Sequence, residues 1–448
     1  MKKSLFILSL ILLHFIFFIL KICIGNFYIN EDSYEYYNMA GNILSDFQFY
    51  CGDLKSNIDY TLYTKRPPLY SIFVLFSSFL MKSKIGILIC QNVLSISSIL
   101  IIKQIFENYY PKINTSLLFL LIVVSWNQFI YSNYIISEIF FQFLIVLLAF
   151  SLHLFFKYKS LKNLLFYQIV IVLLFLTKPV FYLFIFPNLI LTFLMLKKIR
   201  IKLGYFSAVI PILFFLVYSF WNVQRTGSSD FSSIQGINLL HWNLYFFNQK
   251  EYGVEKAREI NKQILNKSHQ IENYAERQSF IKREAISHIL KDPLGYMMFH
   301  ISGCFRIFLD PGRFDISKFY SIESSIKIGG FLDQINKNGI KGVINNLYKQ
   351  PIFILISLLI IFGFNVLKLI GFIWFWIKNY KKASLLFWIL FFVIAYIVAL
   401  TGPLGASRFF VPVLPIYLLF SVIGMSHLIS IIKKRYYCTN TSLTFPSS

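Results

Sequence analysis

Unbroken apolar blocks decide what this chain can become. Residues 5–20 and 352–367 each come close to the roughly 20 residues that cross a bilayer, and similar blocks recur along most of the 448 positions. Hydrophobic residues make up 57% of the chain and aromatic residues 19%, while only 14% are charged. An ordinary soluble domain carries about 25% charged residues. With a mean hydropathy of +0.63, the composition excludes a cytosolic enzyme, a disordered chain, a collagen-like fibre and a disulfide-stapled secreted module. The sequence specifies an all-α polytopic membrane protein.

Apolar blocks read against charge give spans near 5–25, 86–103, 115–133, 138–156, 163–180, 181–196, 203–221, 351–377, 384–402 and 409–431. That is about ten helices, with both ends cytoplasmic. Met1-Lys2-Lys3 before the first block resembles a signal peptide, but no small-x-small cleavage site follows Lys21, so the block reads as an uncleaved helix. The net charge is +23, and its placement sets the topology. If 69–81 crossed as well, the runs Lys157/Lys159/Lys162 and Lys197/Lys198/Arg200/Lys202 would lie opposite Lys2 and Lys3. We therefore read 69–81 as a short amphipathic or re-entrant helix in the interface. The outer loops 26–86 and 222–350 then hold 18 of the 20 acidic residues, and Glu107 is the one acid on the basic, cytoplasmic side.

Four regions follow: helices one to seven over 1–221, a large extracytoplasmic loop over 222–350, C-terminal helices over 351–435 and a short disordered cytoplasmic tail over 436–448. Within the large loop, 250–292 is charged with helical stretches. Residues 293–309 are apolar but interrupted by Gly295, His300, Gly303 and Arg306, which reads as a surface helix rather than an eleventh span. There is no internal repeat and no P-loop. Of the five cysteines, only Cys51 and Cys304 fall in outer loops, and two unrelated thiols is preferred to a disulfide. The seven histidines show no metal-ligand spacing. Abundant Lys, Ile, Asn and Phe suggest a bacterial chain.

The first outer loop opens on Asn30-Glu31-Asp32-Ser33-Tyr34-Glu35-Tyr36, three carboxylates in five residues beside a membrane. It can be a solvated helix end, or a carboxylate poised to take a proton from an acceptor hydroxyl. Lys65-Arg66-Pro67-Pro68-Leu69-Tyr70 follows; two cations at a helix start suit an anionic phosphate, and they suit an interfacial anchor equally. Ser137-Glu138, Thr177-Lys178-Pro179 and Ser407-Arg408 interrupt the outer ends of spans. Singly each is a helix-end anchor. Together they bring one acid and two bases to the face that carries Asp32 and Arg66, which favours a functional site.

These motifs resemble the GT-C membrane glycosyltransferases, in particular the branch with dolichyl-phosphate-mannose–protein mannosyltransferases and bacterial aminoarabinose–lipid A transferases. Asp32 to Ala40 resembles their acidic first-loop motif, and Arg66-Pro67-Pro68-Leu69-Tyr70 their juxtamembrane helix. Ser137-Glu138 and Leu176-Thr177-Lys178-Pro179 resemble two later corners. Trp221-Asn222 through Gly227, then Gly236 to Leu240, resembles the start of their large outer loop. Arg408-Phe409-Phe410-Val411-Pro412-Val413-Leu414-Pro415 resembles their last helix. The motifs run in order from residue 32 to about 424.

The resemblance implies a GT-C fold and transfer of a hexosyl or pentosyl group from a polyprenyl-phosphate donor to a lipid, glycan or protein hydroxyl on the extracytoplasmic face of the plasma (inner) membrane. It makes Asp32 and Glu138 the catalytic candidates. Asp32 would be general base or organiser; Glu138 would position the acceptor or contribute to an occasional metal. Tyr36, Lys65, Arg66, Lys178 and Arg408 would bind substrate, the four cations holding the donor phosphate in interchangeable roles. No cofactor is required, although a divalent metal is allowed. The partners are the lipid-linked donor, the acceptor and membrane lipids, with no nucleic acid. The alternatives are an O-antigen polymerase or ligase acting on diphosphate-linked glycans, which the tyrosine-rich first loop suits less well, and a lipid-linked sugar flippase or transporter. The latter class often shows repeats and mid-span charges, whereas the charges here sit at helix ends.

Overall fold

The computed structural model describes residues 1–81, 83–197, 204–322 and 351–441, with side chains from 434 onward excepted. The described residues form helices and no strand. Among the described residues seven helices are long and apolar enough to cross a membrane: Lys3–Ile24, Lys84–Glu107, Glu138–Tyr158, Pro179–Leu196, Gly204–Thr226, Ile352–Asn379 and Ser407–Lys433. The chain is a multi-pass membrane protein. Two further expected spans are helices of less than full length, Leu161–Phe175 and Leu385–Thr401. The first ends early because Thr177 Oγ1 turns back onto Leu173 O (2.8 Å), and Pro179 has no N–H to carry a helix through the corner.

The expected span 115–133 is not one straight helix. Thr115–Val123 and Trp126–Ser132 meet at 63°. The bend has a buried cause: Lys368 on the facing helix donates to Ser125 Oγ at 2.8 Å, while Ser125 Oγ donates to Leu121 O at 2.7 Å. An ammonium inside an apolar slab requires acceptors, and the opened turn supplies one. The last helix, Leu414–Thr441, also runs on into the segment expected as a disordered tail, so 436–441 are helical. Residues 442–448, and 323–350 of the large outer loop, lie outside the described residues.

Glu138–Tyr158 is the most enclosed of the described full-length helices before the C-terminal ones, with Ile139, Phe141, Leu144, Ile145, Leu148, Ala149, Leu152 and Phe155 all buried. Around it the apolar side chains of most helices join one continuous core. The first outer loop folds as a helix, Glu31–Asp46, laid on the short helix Leu69–Met81 through Tyr36, Ala40, Tyr70 and Val74. Leu69–Met81 has 13 residues, about 20 Å at 1.5 Å each, too short to cross a hydrocarbon core of roughly 30 Å. One face is buried, while Phe76, Phe79, Leu80 and Met81 are exposed.

The large loop builds a small core of its own. Leu240 and Leu244 pack against Ile264 of Val254–His269 and Ile281, Ala285 and Ile289 of Tyr274–Ile289. Asn273 caps the second of these helices from its side chain. Asp292 caps the next, Pro293–Leu309, whose Pro293 stands where an unsatisfied N–H would otherwise be. That helix leans on the end of Leu385–Thr401: Gly303 lies so close to Gly402 O that an added Cβ would come within 1.9 Å of it. Cys51 and Cys304 are both free thiols, and Cys304 Sγ faces Val398 O at 3.5 Å.

Candidate active site

Five segments deliver their polar ends to one place. Glu31–Asp46 begins just after extended Asn30, so Asp32, Glu35 and Tyr36 fall on one helical face by their spacing of three and four. Lys65 and Arg66 end the first outer loop just before the two prolines that open the helix at Leu69. Glu138 is the first residue of its helix, Lys178 sits in the corner before Pro179–Phe184, and Arg408 is the second residue of the turn Ser407–Val413.

These side chains form an unbroken line of ion pairs. Lys65 pairs with Glu35. Arg66 Nε donates to Glu35 Oε2 at 2.6 Å, and Arg66 Nη2 to Asp32 Oδ1 at 2.6 Å. Arg408 Nη2 takes the other Asp32 oxygen at 2.5 Å, and Arg408 Nε donates to Glu138 Oε1 at 2.6 Å. Lys178 Nζ reaches the same Glu138 oxygen at 2.8 Å. Tyr36 stands beside the line, its ring under the Arg66 guanidinium and its hydroxyl 3.2 Å from Ser137 Oγ. All seven residues singled out from the sequence thus lie in one cluster.

Its electrostatics are uneven. Four cations face three carboxylates, which leaves one positive charge over. Glu138 is fully buried, and among the described residues its Oε2 has no hydrogen-bond partner. Burial pushes the Asp32 carboxyl up, but the two guanidinium groups more than offset it and hold Asp32 well below the usual carboxylate range. Each guanidinium spends Nε and Nη2 on carboxylates; among the described residues Nη1 of Arg66 and of Arg408 makes no hydrogen bond.

Asp32, Tyr36, Arg66, Lys178 and Arg408 line a cavity of about 2620 Å³. Among the described residues nine Lys and Arg side chains line it against four carboxylates, Glu31, Asp32, Asp310 and Asp315. The helices Pro293–Leu309, Ile352–Asn379 and Leu385–Thr401 contribute apolar lining, with Phe305, Leu355, Leu359, Phe362 and Leu400, and the large loop adds Asn238, Trp242, Asn243 and Tyr245. Such a space suits a ligand with a hydrocarbon part and an anionic head. Both Asp32 oxygens face guanidinium groups, and among the described residues no three His, Cys, Asp or Glu side chains come together.

Sequence reasoning misses two acidic members. Glu35 carries a local signal, since it follows Asp32 by three positions on a helix, but not its pairing with Lys65 and Arg66. Asp315, on the short helix Arg313–Phe319, carries none. Its partners are Tyr131 (2.7 Å) and Ser407 (3.2 Å), 184 and 92 positions away. Two further lysines fix this helix. Lys318 donates to Ile29 O at 2.6 Å, next to the acidic loop. Buried Lys21 lies 4.1 Å from the centre of the Tyr134 ring and 5.0 Å from that of Phe319.

No protein-family model matches the chain, and no curated protein does. Among solved structures it is similar to the archaeal oligosaccharyltransferase AglB from Archaeoglobus fulgidus, in complex with an inhibitory peptide and a dolichol-phosphate. That match has a TM-score of 0.51 and 13% identity, and covers 100% of this chain and 53% of AglB. The chain therefore spans about half the length of AglB. ArnT from Cupriavidus metallidurans, bound to undecaprenyl phosphate, matches with a TM-score of 0.38 and 11% identity over 94% of this chain and 76% of that one. The likeness to AglB shows the fold, and the chain has the GT-C fold that its motifs imply.

Proposed function

We propose that this chain is an integral membrane glycosyltransferase that moves a sugar from a polyprenyl-phosphate donor to a lipid, glycan or protein hydroxyl on the extracytoplasmic face. The observation that carries the reading is the cavity. Its lining combines an excess of cations, among them Arg66, Lys178 and Arg408 of the ion-pair line, with many apolar side chains. AglB, which shares the fold, was solved with a dolichol-phosphate, and a lipid phosphate has both parts that such a cavity would take.

In this reading the lipid lies along the apolar lining, and its phosphate takes the spare positive charge near Arg66, Lys178 and Arg408. The acceptor oxygen attacks the anomeric carbon, and the bond from that carbon to the phosphate oxygen breaks with its electron pair on the phosphate. The fixed cations meet the growing negative charge, and each such donor is worth about 3–4 kcal/mol in a preorganised site. Asp32 is clamped by two guanidinium groups and keeps them aimed; the geometry favours the organiser's part over the base's. Glu138 does the same for Arg408 and Lys178. With a lipid monophosphate leaving group the cations suffice, and no step calls for a metal. The lopsided placement of acidic residues supports an extracytoplasmic site with both termini inside.

The test is transfer by the purified full chain. It is supplied with radiolabelled undecaprenyl-phosphate and dolichyl-phosphate sugars, together with envelope lipid and glycan extracts. Movement of label into a product other than the donor supports the reading. Consumption of a polyprenyl-diphosphate glycan instead would move the protein to the polymerase or ligase class, and donor translocation across vesicles without transfer would make it a flippase.

A further inference from the structure

Glycosyl transfer to a hydroxyl needs a group to take the proton, and Asp32 is poorly built for it. Both of its oxygens are held by guanidinium groups, so its basicity is spent on ion pairs. Three other carboxylates line the cavity. Glu31 is exposed at a helix start. Asp310 is used locally, its Oδ2 accepting from Ser407 N (2.7 Å) and its Oδ1 from Gly312 N (3.1 Å). Asp315 differs from all of these. It is 6% exposed, and among the described residues only neutral donors reach it, the hydroxyls of Tyr131 and Ser407. Ser407 is followed directly by Arg408, whose guanidinium joins Asp32 to Glu138, so Asp315 stands at the cavity wall next to the ion-pair line.

We propose that Asp315 takes the proton of the acceptor hydroxyl, and that Tyr131 and Ser407 are positioning residues that aim its carboxylate into the cavity. The inference rests on the glycosyltransferase reading above. As the acceptor oxygen bonds to the anomeric carbon, its proton passes to Asp315, the lipid phosphate leaves with the electron pair of the broken bond, and Asp315 later releases the proton to water.

The chemistry of the site agrees. Burial pushes the Asp315 carboxyl up to about 7, where a substantial share of the base is charged in neutral solution and accepts a proton readily. The groups that face it are Tyr131 and Tyr134 from the bent segment, Arg408 from the last helix, and Asp310 and Lys318 from its own loop. Asp310 raises it further. Arg408 and the two hydroxyl donors lower it, without overcoming burial.

The experiment uses the full purified chain, an undecaprenyl-phosphate radiolabelled sugar that the wild type transfers, and the variants Asp315→Asn and Asp315→Glu. The amide oxygen of Asn still accepts from Tyr131, and its NH2 can donate to the Ser407 hydroxyl in place of the bond that Asp315 accepted, so the architecture is kept while the base is removed. We expect kcat to fall by 10²–10⁴-fold in Asp315→Asn, with donor affinity, read by equilibrium binding of the same lipid-linked sugar, unchanged. The wild-type rate should fall on the acid side of about pH 7; Asp315→Asn should lose that limb, and Asp315→Glu should keep it with part of the rate. Wild-type turnover by Asp315→Asn, an unchanged acid limb, or a loss of donor affinity in step with the rate would each overturn the assignment. A wild-type chain that moves no sugar from any donor would remove the glycosyltransferase reading itself, and this inference with it.

Discussion

Arg408 Nη2 lies 2.5 Å from Asp32 Oδ2, an ion pair that closes 376 positions of chain. It ties the entry to the last helix to the helix that opens the first outer loop. The same guanidinium holds Glu138 through Nε, so one side chain sets the distance between two acidic segments. Burying such a line brings little net stability, because the desolvation of each charge roughly cancels its attraction. Its value lies in fixed geometry at the cavity wall.

Replacing Arg408 by Lys tests this. A single ammonium has no fork with which to reach Asp32 and Glu138 together, so we expect Arg408→Lys to fold and to lose at least 10²-fold in kcat/KM. Arg408→Met goes further, because it leaves fully buried Glu138 with Lys178 alone. Breaking a buried pair costs about 3–5 kcal/mol, so its melting temperature in detergent should drop well below that of Arg408→Lys. Equal melting of the two variants would show that the line has no structural part.

Asp32→Asn should separate binding from transfer. The amide keeps the shape but neutralises one partner of Arg66 and Arg408, leaving the cavity more positive. Donor affinity should hold or tighten while kcat falls by about 10²-fold, the loss expected of a displaced preorganised group. Because Asp32 is held below the usual carboxylate range, its charge, and whatever that charge contributes to stability, is present above its ordinary range and lost only as pH falls through the lower folded value. Acid titration of the wild type should therefore leave the Asp32 pairs with Arg66 and Arg408 intact to about pH 4. Full activity of Asp32→Asn would remove Asp32 from the mechanism.

The positions of charge at span ends made most of this site legible. Asp32, Arg66, Glu138, Lys178 and Arg408 each interrupt an apolar run at its outer end, and the folded bundle gathers outer ends. What the chain hides is anything decided by a partner far away. Nothing local marks Val124–Ser125 as a bend, since neither proline nor glycine stands there; the cause is Lys368, 243 positions on. Asp315 reads as one more loop carboxylate until Tyr131 and Ser407 close on it.

The C-terminal pair of helices offers a test of packing. An added Cβ on Gly424 would come within 1.9 Å of Gly371 O, and one on Gly371 within 2.5 Å of Ser421 O. Small residues let helix backbones meet this closely inside a membrane. Gly424→Ala must push Ile352–Asn379 away from the last helix, and overpacking of this kind costs about 1–3 kcal/mol. We expect a lower melting temperature with donor binding intact. Gly363→Ala is the control, since nothing lies within 4 Å of a Cβ built there.

Asp315 also predicts how stability depends on pH, independently of any substrate. In the folded chain its carboxyl stays protonated up to about 7, whereas an unfolded aspartate ionises near 3.8. A group raised in this way favours the folded state only while protonated in both states. The wild type therefore carries a cost that begins as pH rises past about 4 and is complete above about 7. Asparagine never ionises, so Asp315→Asn should melt higher than wild type at pH 8. The gain should equal a few kcal/mol, because each tenfold difference in proton affinity between the folded and unfolded chain is worth about 1.4 kcal/mol. It should shrink as pH falls from 7 toward 4 and vanish near the lower value. Thermal melts in detergent at pH 8, 6 and 4 measure it. A variant less stable than wild type at pH 8 would mean that Asp315 is a structural anion with a charged partner, and would leave the burial argument without its basis.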